Sequence, residues 1–354
     1  MMVQFHTLEV TNVQPETKHA VAVTFSVPEH LQSLFQHSAG QYLTLKFLID
    51  GVEVRRAYSM CSSPYEKDIT IGVKRVKGGL VSNHINDSIQ SGSKIEVMQP
   101  QGAFVLPKNA NSPKVYFLIG GGSGITPLLS IAKTILAESE DQKVALLYAN
   151  EHEDTIMFRE ELSQLAAKHP GRLHVEHILH KPTNEWQGRK GLVNESIIQS
   201  FVKQHSEDDQ PEFFLCGPSG MMDVVEQALL SIDSIRIHRE NFVATKPNAP
   251  ISEASGAAAP DQTNVNVVFD LFGTPGDVTI KSEMTLLDGL LSKGYDVPYS
   301  CQSGVCSTCV AKLVKGKVTM DTHDGLDEDE LEEGYILACK AKCQTSVVEV
   351  LFDY

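Results

Sequence analysis

Apolar and polar residues alternate along the first part of the chain. The segment HAVAVTFSV places Val21, Val23, Phe25 and Val27 on one face of a strand, and QYLTLKFLI and DITIGVKRV repeat this spacing. A period of two residues, interrupted by turn residues, is typical of antiparallel strands. The pattern therefore predicts a small antiparallel β-barrel over residues 1–110.

The pattern changes in residues 111–243, where short apolar runs alternate with longer amphipathic ones. KVYFLIG, KVALLYA, LHVEHIL and EFFLC have the character of buried strands, and a segment with helical spacing follows each of them. Such alternation predicts a parallel α/β domain of the doubly wound kind. In its first helix, Thr126 is expected at the N-cap and Pro127 at the first helical position.

A third domain is predicted at the C-terminal end, after a linker. Residues 244–263 are rich in Ala, Pro and Ser and show no periodicity, which indicates a flexible linker. Residues 264–354 begin with the alternating segment NVNVVFDLF. The next segment, TLLDGLLSKG, is predicted to be a helix capped by Thr285 and closed by Gly294.

Charge and hydropathy exclude several classes of function. The 354-residue chain has a formal net charge of −15, which argues against a nucleic-acid partner. Its first residues lack the basic and apolar regions of a secretory signal. The uncharged stretch from Val115 to Ala132 contains four glycines and a proline, so it predicts a strand, a turn and a helix rather than a membrane span. We expect a soluble cytoplasmic protein with no membrane partner.

Five of the seven cysteines lie in the last 54 residues, and this clustering predicts a metal site rather than a set of disulfides. Cys301, Cys306 and Cys309 have the spacing C-x4-C-x2-C, and Cys339 follows at a distance. This is the plant-type pattern for a [2Fe–2S] cluster held by four thiolates. Zinc is the alternative, but zinc sites usually combine two close pairs of ligands. Cys343 would share a face with Cys339 if that segment were helical, and we interpret it as a spare thiol.

The segments VPYSCQSGVCSTCVAKLVKGKV and GYILACKA resemble the plant-type ferredoxins over roughly the last ninety residues. The resemblance implies a small α+β domain with the β-grasp fold. Between these segments, DTHDGLDEDELEE contains eight acidic residues and no Lys or Arg. Two interpretations of this run stay open, a solvated segment and a surface that docks a basic partner.

A further resemblance covers the barrel, where RAYS lies between AGQYLTL and GGLVSN. The tetrapeptide alone is a weak signal, but the three segments together resemble the ferredoxin–NADP reductase superfamily. The resemblance implies FAD, with Arg56 at the flavin phosphate, Tyr58 against the flavin and Ser59 near flavin N5. The residues assigned to the flavin site in this way are Arg56, Ala57, Tyr58, Ser59, Val73, Arg75, Gly79 and Ser82.

The same superfamily is matched by GGGSGITP and CGPSGMM in the α/β domain. A glycine-rich turn after a strand is weak evidence by itself, because it often serves only helix packing. The resemblance assigns Ser59 and Cys216 to the reacting centre, and it implies that Phe242, in HRENF with Glu240, shields the flavin. The residues assigned to the nucleotide site are Gly122, Gly124, Thr126, Cys216, Gly217 and Pro218.

The sequence leaves the choice between NADPH and NADH open. Acidic residues follow the predicted strand LLYAN, and they would repel a 2′-phosphate. Three cations in the next loop would compensate, and the resemblance to the superfamily favours NADPH. The acidic residues are Glu151, Glu153 and Asp154, and the cations are Lys181, Arg189 and Lys190.

Taken together, the three domains predict an oxidoreductase that passes electrons from NAD(P)H through FAD and a [2Fe–2S] cluster to a protein acceptor. The order of domains, with KRVKGGLVSN and LLYANEHEDTIMFREEL, resembles reductase components of bacterial oxygenases, among them those of the phenylacetyl-CoA epoxygenase and 3-ketosteroid 9α-hydroxylase systems. The resemblance implies an oxygenase component as the acceptor. One alternative is a general reductase for soluble ferredoxins or flavodoxins. The other is a redox-sensing or zinc-stabilised binding module.

Overall fold

The computed structural model describes residues 4–107, 113–206, 211–230, 232, 235–242, 264–326 and 328–352. The predicted linker at 244–263 lies outside the described residues. The chain divides into two units. One unit contains two six-stranded sheets, apart from Phe5 and Arg55–Ala57, which are grouped with the other unit. That other unit contains a five-stranded sheet.

The first six-stranded sheet is the predicted antiparallel barrel. Its elements are β1 (Phe5–Thr17), β2 (Ala20–Ser26), β3 (Tyr42–Ile49), β4 (Val52–Ser59), β5 (Ile69–Lys74), α1 (Leu80–Ser88) and β6 (Lys94–Met98). The strand order is β4-β3-β6-β1-β2-β5, and the two edge strands meet through an antiparallel bridge between Met60 and Ile71. This bridge closes the sheet, which removes the unpaired edges that an open sheet would expose.

The second six-stranded sheet confirms the predicted parallel α/β domain. Its strands are β7 (Val115–Gly121), β8 (Lys143–Asn150), β9 (Leu173–Leu179), β10 (Arg189–Lys190), β11 (Glu212–Cys216) and β12 (Arg236–Glu240). Its helices are α2 (Ile125–Glu138), α3 (Arg159–Lys168), α4 (Glu195–His205) and α5 (Ser219–Leu229). The order β10-β9-β8-β7-β11-β12 reverses direction between β7 and β11. In open α/β sheets, ligands bind at such a switch point, beyond the carboxyl ends of the strands.

Strand β2 connects the barrel to the α/β domain through its two faces. Val21, Val23 and Phe25 point into the barrel core, as their spacing predicts. Ala20 and Ala22 are buried on the opposite face, in the core cluster that includes apolar side chains of α2. Both faces of β2 are therefore apolar, and the small alanines let the two domains pack closely.

The start of α2 differs from the prediction. The helix begins at Ile125 with Gly124 at the N-cap, so Thr126 and Pro127 lie inside its first turn. The reason is that residues Gly122–Gly124 already form a 3₁₀ turn that leads into the helix. The hydroxyl of Thr126 donates a hydrogen bond to the carbonyl of Ser123, 3.1 Å away, and does not cap the helix.

The uncharged stretch from Val115 to Ala132 forms a strand, a tight turn and part of a helix, as predicted. Helix α2, which it enters, spans 14 residues. Within the described ranges, no helix combines the length and the apolar character that crossing a bilayer requires.

The C-terminal sheet is mixed. Its strands are β13 (Asn264–Leu271), β14 (Thr274–Lys281), β15 (Val310–Lys315), β17 (Tyr335–Leu337) and β19 (Val347–Phe352). Two short strands, β16 (Val318–Thr319) and β18 (Lys342–Cys343), pair separately, and the helices are α6 (Leu286–Ser292) and α7 (Glu328–Glu332). β13 pairs antiparallel with β14 and parallel with β19, the arrangement expected for the β-grasp fold. Thr285 caps α6 as predicted, because its hydroxyl accepts a hydrogen bond from the amide of Asp288 at 3.1 Å.

Candidate functional site

Two glycine-containing turns pack directly on each other at the switch point of the parallel sheet. A Cβ atom on Gly124 would lie 2.1 Å from the carbonyl oxygen of Cys216, and a Cβ on Gly121 would lie 2.7 Å from Cδ of Pro218. A Cβ on Gly217 would lie 2.9 Å from the amide nitrogen of Gly121. Only glycine permits this approach. The two motifs that were matched separately in the sequence therefore form one surface.

Gly122 occupies the exposed part of this surface. Its φ of 56° is in the left-handed region, which glycine adopts without strain. The hydroxyl of Tyr148 donates a hydrogen bond to the carbonyl oxygen of Gly122 at 2.8 Å, and this bond stabilises the turn. Backbone amides in such a turn, at the start of a helix, are suited to bind a pyrophosphate.

Lys74 reaches the same turn, although the sequence reasoning did not select it. Its Nζ lies 3.4 Å from the position that a Cβ on Gly122 would occupy. Its neighbours Val73 and Arg75 were predicted to line the flavin site, but Val73 is buried in the barrel core and Arg75 forms an ion pair with Asp87 at 2.6 Å. Strand alternation links Lys74 to this site, because it places Lys74 on the same face of β5 as Gly72. Gly72 packs against Thr126, since a Cβ there would lie 2.5 Å from Cγ2 of that threonine.

The side chains of Ser59 and Glu240 meet beside Cys216. The hydroxyl of Ser59 donates a hydrogen bond to Oε2 of Glu240 at 3.3 Å, and Glu240 lies opposite Cys216 in the β11–β12 register. Burial raises the pKa of Glu240 to about 8, although the hydrogen bond from Ser59 acts in the opposite direction. Burial, and secondarily the charge of Glu240, raise the pKa of the Cys216 thiol well above its ordinary value.

This arrangement determines what the three side chains can do near neutral pH. A carboxyl group with a pKa of about 8 holds its proton at pH 7, and it can donate that proton or take one back through the Ser59 hydroxyl. The thiol of Cys216 stays protonated and is therefore a poor nucleophile. Chemistry at this site then depends on a bound cofactor, with proton exchange available at the Ser59 oxygen.

The start of α1 is the second place that suits a phosphate. Gly79 is the N-cap residue, and no side chain caps this end of the nine-residue helix in the part of the chain that the structure describes. The first amides of a helix have no partner within it and attract anions. Ser82 shapes the loop, because its hydroxyl accepts a hydrogen bond from the amide of Val76 at 3.1 Å. The oxygen also lies 2.7 Å from the position of a Cβ on Gly79, so this approach again needs glycine.

The remaining flavin candidates lie on β4 and β5. Arg56 is exposed, and its guanidinium donates a hydrogen bond to the carbonyl of Arg55 at 2.6 Å. Ala57 and Tyr58 are half-buried, and Tyr58 packs against the barrel core. The side chain of Val73 is fully buried in that core, so only its main chain is available to a cofactor. Phe242, at the end of a described segment, is 36% exposed.

In the C-terminal domain, the four predicted cysteine ligands form two pairs. The thiol of Cys306 donates a hydrogen bond to the sulfur of Cys301 at 3.1 Å, and this bond lowers the pKa of Cys301 to about 4. Cys309 and Cys339 share a second hydrogen bond, which together with burial raises the pKa of Cys309. Strand pairing holds the second pair, since the amide of Ala338 donates to the carbonyl of Cys309 at 3.0 Å.

The cysteine loop is curled by residues with left-handed backbone. Gln302 and Gly304 have φ values of 54° and 83°, and the amide of Ser303 points to the sulfur of Cys301 at 3.4 Å. A Cβ on Gly325 would lie 2.7 Å from the carbonyl oxygen of Cys306, so a second segment presses on the loop from outside. The left-handed backbone at these two positions curls the loop, and the curled loop directs an amide to a cysteine sulfur.

Two pairs of sulfur atoms fit a two-iron cluster, in which each iron takes two thiolates. A single tetrahedral zinc ion would instead need all four sulfurs around one point. The structure pairs Cys306 with Cys301 and Cys309 with Cys339. The donor set therefore fits [2Fe–2S] better than zinc.

Cys343 lies apart from this arrangement. Its segment is not helical, because Cys343 belongs to β18 and pairs with Val318, so the condition for a shared face with Cys339 is not met. Its side chain is 2% exposed in the apolar core of the domain, and burial raises its pKa to about 11. Among the described residues it has the environment of a structural thiol.

The acidic segment that precedes Cys339 contains helix α7. Lys340 approaches its first residue, Asp321, with 3.7 Å between the ammonium nitrogen and a carboxylate oxygen. The Asp321 side chain is 63% exposed, so this pair adds little stability.

Comparisons with known proteins agree with this geometry. Residues 7–106 match the family described as an oxidoreductase FAD-binding domain, residues 118–227 an oxidoreductase NAD-binding domain, and residues 271–344 a 2Fe-2S iron–sulfur cluster binding domain. A component of the 1,2-phenylacetyl-CoA epoxidase from Escherichia coli K12 is 36% identical over 99% of both chains. The ferredoxin reductase component of 3-ketosteroid-9-alpha-monooxygenase from Rhodococcus rhodochrous is 37% identical, over 98% of this chain and 96% of its own.

A solved structure shows the same combination of domains. Phthalate dioxygenase reductase, described as a modular structure for electron transfer from pyridine nucleotides to [2Fe-2S], is 25% identical. It superposes with a TM-score of 0.62 over 98% of both chains. The matches extend over the barrel, the α/β domain and the cysteine domain in the same order. The chain therefore belongs to the family of iron–sulfur flavoprotein reductases, in which an FAD-binding, an NAD-binding and a 2Fe-2S domain are joined in one polypeptide.

Proposed function

We propose that this chain is the reductase component of an oxygenase system and carries electrons from NAD(P)H to the oxygenase. The observation that carries the proposal is that one polypeptide combines two paired cysteine sets with a nucleotide surface at which Ser59, Cys216 and Glu240 meet. A bound FAD would supply a hydride acceptor, and together with a [2Fe–2S] cluster it would allow a two-electron donor to provide single electrons.

The protein's own residues position these groups. The glycine turn around Gly122 and the ammonium of Lys74 provide the phosphate surface for the nucleotide, and the start of α1 provides one for the flavin. Ser59 and Glu240 can hold or move a proton where the hydride is exchanged. Cys301, Cys306, Cys309 and Cys339 would hold the cluster, and backbone amides of their loop would stabilise the thiolates.

The acceptor that we favour is an oxygenase of the phenylacetyl-CoA epoxidase type or a related hydroxylase. Two relatives of nearly equal identity support this assignment, the epoxidase component and the ketosteroid monooxygenase component. The reductase of a glycine betaine monooxygenase from Chromohalobacter salexigens, 30% identical over 91% of this chain, also belongs to an oxygenase system. Because all three relatives are components of oxygenase systems, we favour an oxygenase as the acceptor over soluble ferredoxins or flavodoxins. The sulfur pairs argue against a zinc-stabilised module.

We also propose a cytoplasmic location. Free cysteines that serve as metal ligands need a reducing compartment, and all seven cysteines are free in the structure.

Two measurements test the proposed function. Anaerobic addition of NADH or NADPH to the purified chain should bleach the flavin and iron–sulfur absorption bands together, and iron analysis should give two irons per chain. Cross-linked affinity capture from the native cells should then recover components of an oxygenase. A colourless C-terminal domain that contains zinc would contradict the electron path, and capture of only ferredoxins or flavodoxins would contradict the oxygenase assignment.

A further inference from the structure

The loop after β8 is joined to the loop after β9 by an ion pair. Nζ of Lys181 lies 2.6 Å from Oε1 of Glu151, and both side chains are more than half exposed. The main chains of the same two residues are also hydrogen-bonded, because the amide of Lys181 donates to the carbonyl of Glu151 at 2.8 Å. Lys181 therefore does not present a free ammonium group to a ligand.

Other contacts hold these two loops together independently of the ion pair. The carboxylate of Glu153 accepts hydrogen bonds from the amide and the hydroxyl of Thr183, at 2.8 and 2.7 Å. Nδ1 of His152 lies 2.6 Å from the carbonyl oxygen of Lys181. These contacts hold the backbone of Lys181 beside the loop after β8, so its ammonium group stays within reach of Glu151.

The position of the ion pair relates it to the nucleotide. β8 lies directly beside β7 in parallel register, and β7 ends in the glycine turn. In doubly wound sheets the pyrophosphate binds at the turn after the first strand, and the adenosine ribose lies at the end of the neighbouring strand. Asn150 ends β8. Glu151, the next residue, is therefore located where the ribose 2′ position would be.

The two other cations that the sequence offered are not better placed. Nε of Arg189 lies 2.5 Å from Oε2 of Glu176, so a carboxylate already neutralises it. Lys190 is exposed, but it belongs to the edge strand β10, which β9 separates from β8. Acidic side chains at 151, 153 and 154 and the paired Lys181 thus dominate the electrostatics of the loop after β8.

We propose that this chain uses NADH in preference to NADPH, and that Glu151 is the residue that determines the preference. The carboxylate can accept a hydrogen bond from the 2′-hydroxyl of NADH, whereas it repels the 2′-phosphate of NADPH and occupies the nearest ammonium group. The inference rests on the proposed function, because it names the nucleotide that the same site uses.

The first test compares both nucleotides in the reduction of a dye by the complete flavin- and iron-loaded protein. We expect kcat/KM for NADH to exceed that for NADPH by about tenfold or more, because a phosphate dianion would meet three carboxylates and only one ammonium group, which is already paired. Calorimetry adds a readout without turnover, and in it 5′-AMP should bind more tightly than adenosine 2′,5′-bisphosphate. Equal or tighter binding of the bisphosphate would overturn the inference.

The second test uses Glu151→Gln with Glu160→Gln as its control. Glu160 is an exposed carboxylate on α3 that contacts Gln164, so its replacement removes the same charge from the neighbouring helix. Glu151→Gln should raise kcat/KM for NADPH by about tenfold and change that for NADH by less than about threefold. The same rise in both variants would show a non-specific charge effect and would overturn the role of Glu151. If neither nucleotide reduced the flavin, the proposed function would fail, while the calorimetric comparison would still decide the preference.

Discussion

The hydroxyl of Ser59 is hydrogen-bonded to the carboxyl group of Glu240 at 3.3 Å, although 181 residues separate them in the chain. Ser59 ends β4 of the barrel, and Glu240 ends β12 of the parallel sheet. The contact therefore exists only because the two sheets pack into one unit. It places a half-buried proton donor beside Cys216, on the neighbouring strand.

The raised pKa of Glu240 predicts a specific dependence of stability on pH. Burial raises it from 4.5 to about 8, so between these values the folded chain retains a proton that the unfolded chain has lost. This contribution to stability is complete below pH 4.5 and disappears as pH rises through about 8. We expect the wild-type protein to lose stability relative to Glu240→Gln by up to about 1.4 kcal/mol per pH unit in this window. Urea unfolding, followed by flavin release at several pH values, measures the difference, and parallel curves would contradict it.

Gly124→Ala tests the contact between the two turns. The new Cβ would overlap the carbonyl of Cys216, so we expect the free energy of unfolding to fall by about 1–3 kcal/mol. Affinity for the nucleotide should fall as well, since the turn must shift. Gly220→Ala is the matched control, because a Cβ there meets nothing within 4 Å. Its stability should stay unchanged or rise by up to about 1 kcal/mol. Equal effects of the two substitutions would show that the turns do not need to pack so closely.

Cys306→Ala and Cys343→Ala distinguish a cluster ligand from a structural thiol. The first should abolish assembly of the iron–sulfur cluster, whereas reduction of the flavin by the nucleotide should persist, because the nucleotide residues and most of the flavin residues lie in another unit. The second should retain the iron content of the wild-type protein. Iron analysis and the visible spectrum provide the readout. Loss of iron from Cys343→Ala alone would reverse the assignment.

Lys74→Ala should weaken binding of the nucleotide without changing the flavin content. A hydrogen bond to a charged group contributes about 1.5–3 kcal/mol, so we expect the dissociation constant to rise by about ten- to a hundredfold. Titration of the oxidised protein with 5′-AMP and with NAD⁺ measures this change, and only NAD⁺, which has a pyrophosphate, should show the full effect. Lys67→Ala, which removes an exposed cation from a barrel loop, should bind both ligands as the wild-type protein does.

Arg56→Ala should lower the flavin content after purification, because a flavin phosphate would lose a charge-assisted hydrogen-bond partner. Arg56→Lys should restore it only in part, since an ammonium group cannot form the two parallel bonds of a guanidinium. The ratio of flavin absorbance to protein provides the measurement. Lys18→Ala, at an exposed turn of the barrel, serves as the control. Unchanged flavin content in Arg56→Ala would remove this residue from the phosphate site.

Local patterns in the sequence were enough to predict most of the domain structure of this protein. Period-two spacing predicted the barrel strands, alternation of strand and helix predicted the parallel sheet, and cysteine spacing predicted the iron–sulfur domain. These features depend on interactions between residues near each other in sequence, or on ligand geometry that one loop largely provides. The hydrogen bond that caps α6 at Thr285 is likewise local, and it was predicted correctly.

Features that depend on contacts between distant segments of the chain became visible only in the tertiary structure. Thr126 did not cap α2, because the preceding glycines form a turn that fits against the Cys216 carbonyl. Strand alternation places Lys74 on the same face as Gly72, but only the tertiary structure shows that this face meets the glycine turn about fifty residues later, where the ammonium group reaches Gly122. The sequence also left the nucleotide preference open, since acidic and basic residues alone do not say which of them are paired. Only the packing of strand ends brings Lys181 to Glu151, and a paired ammonium no longer offers its charge to a phosphate.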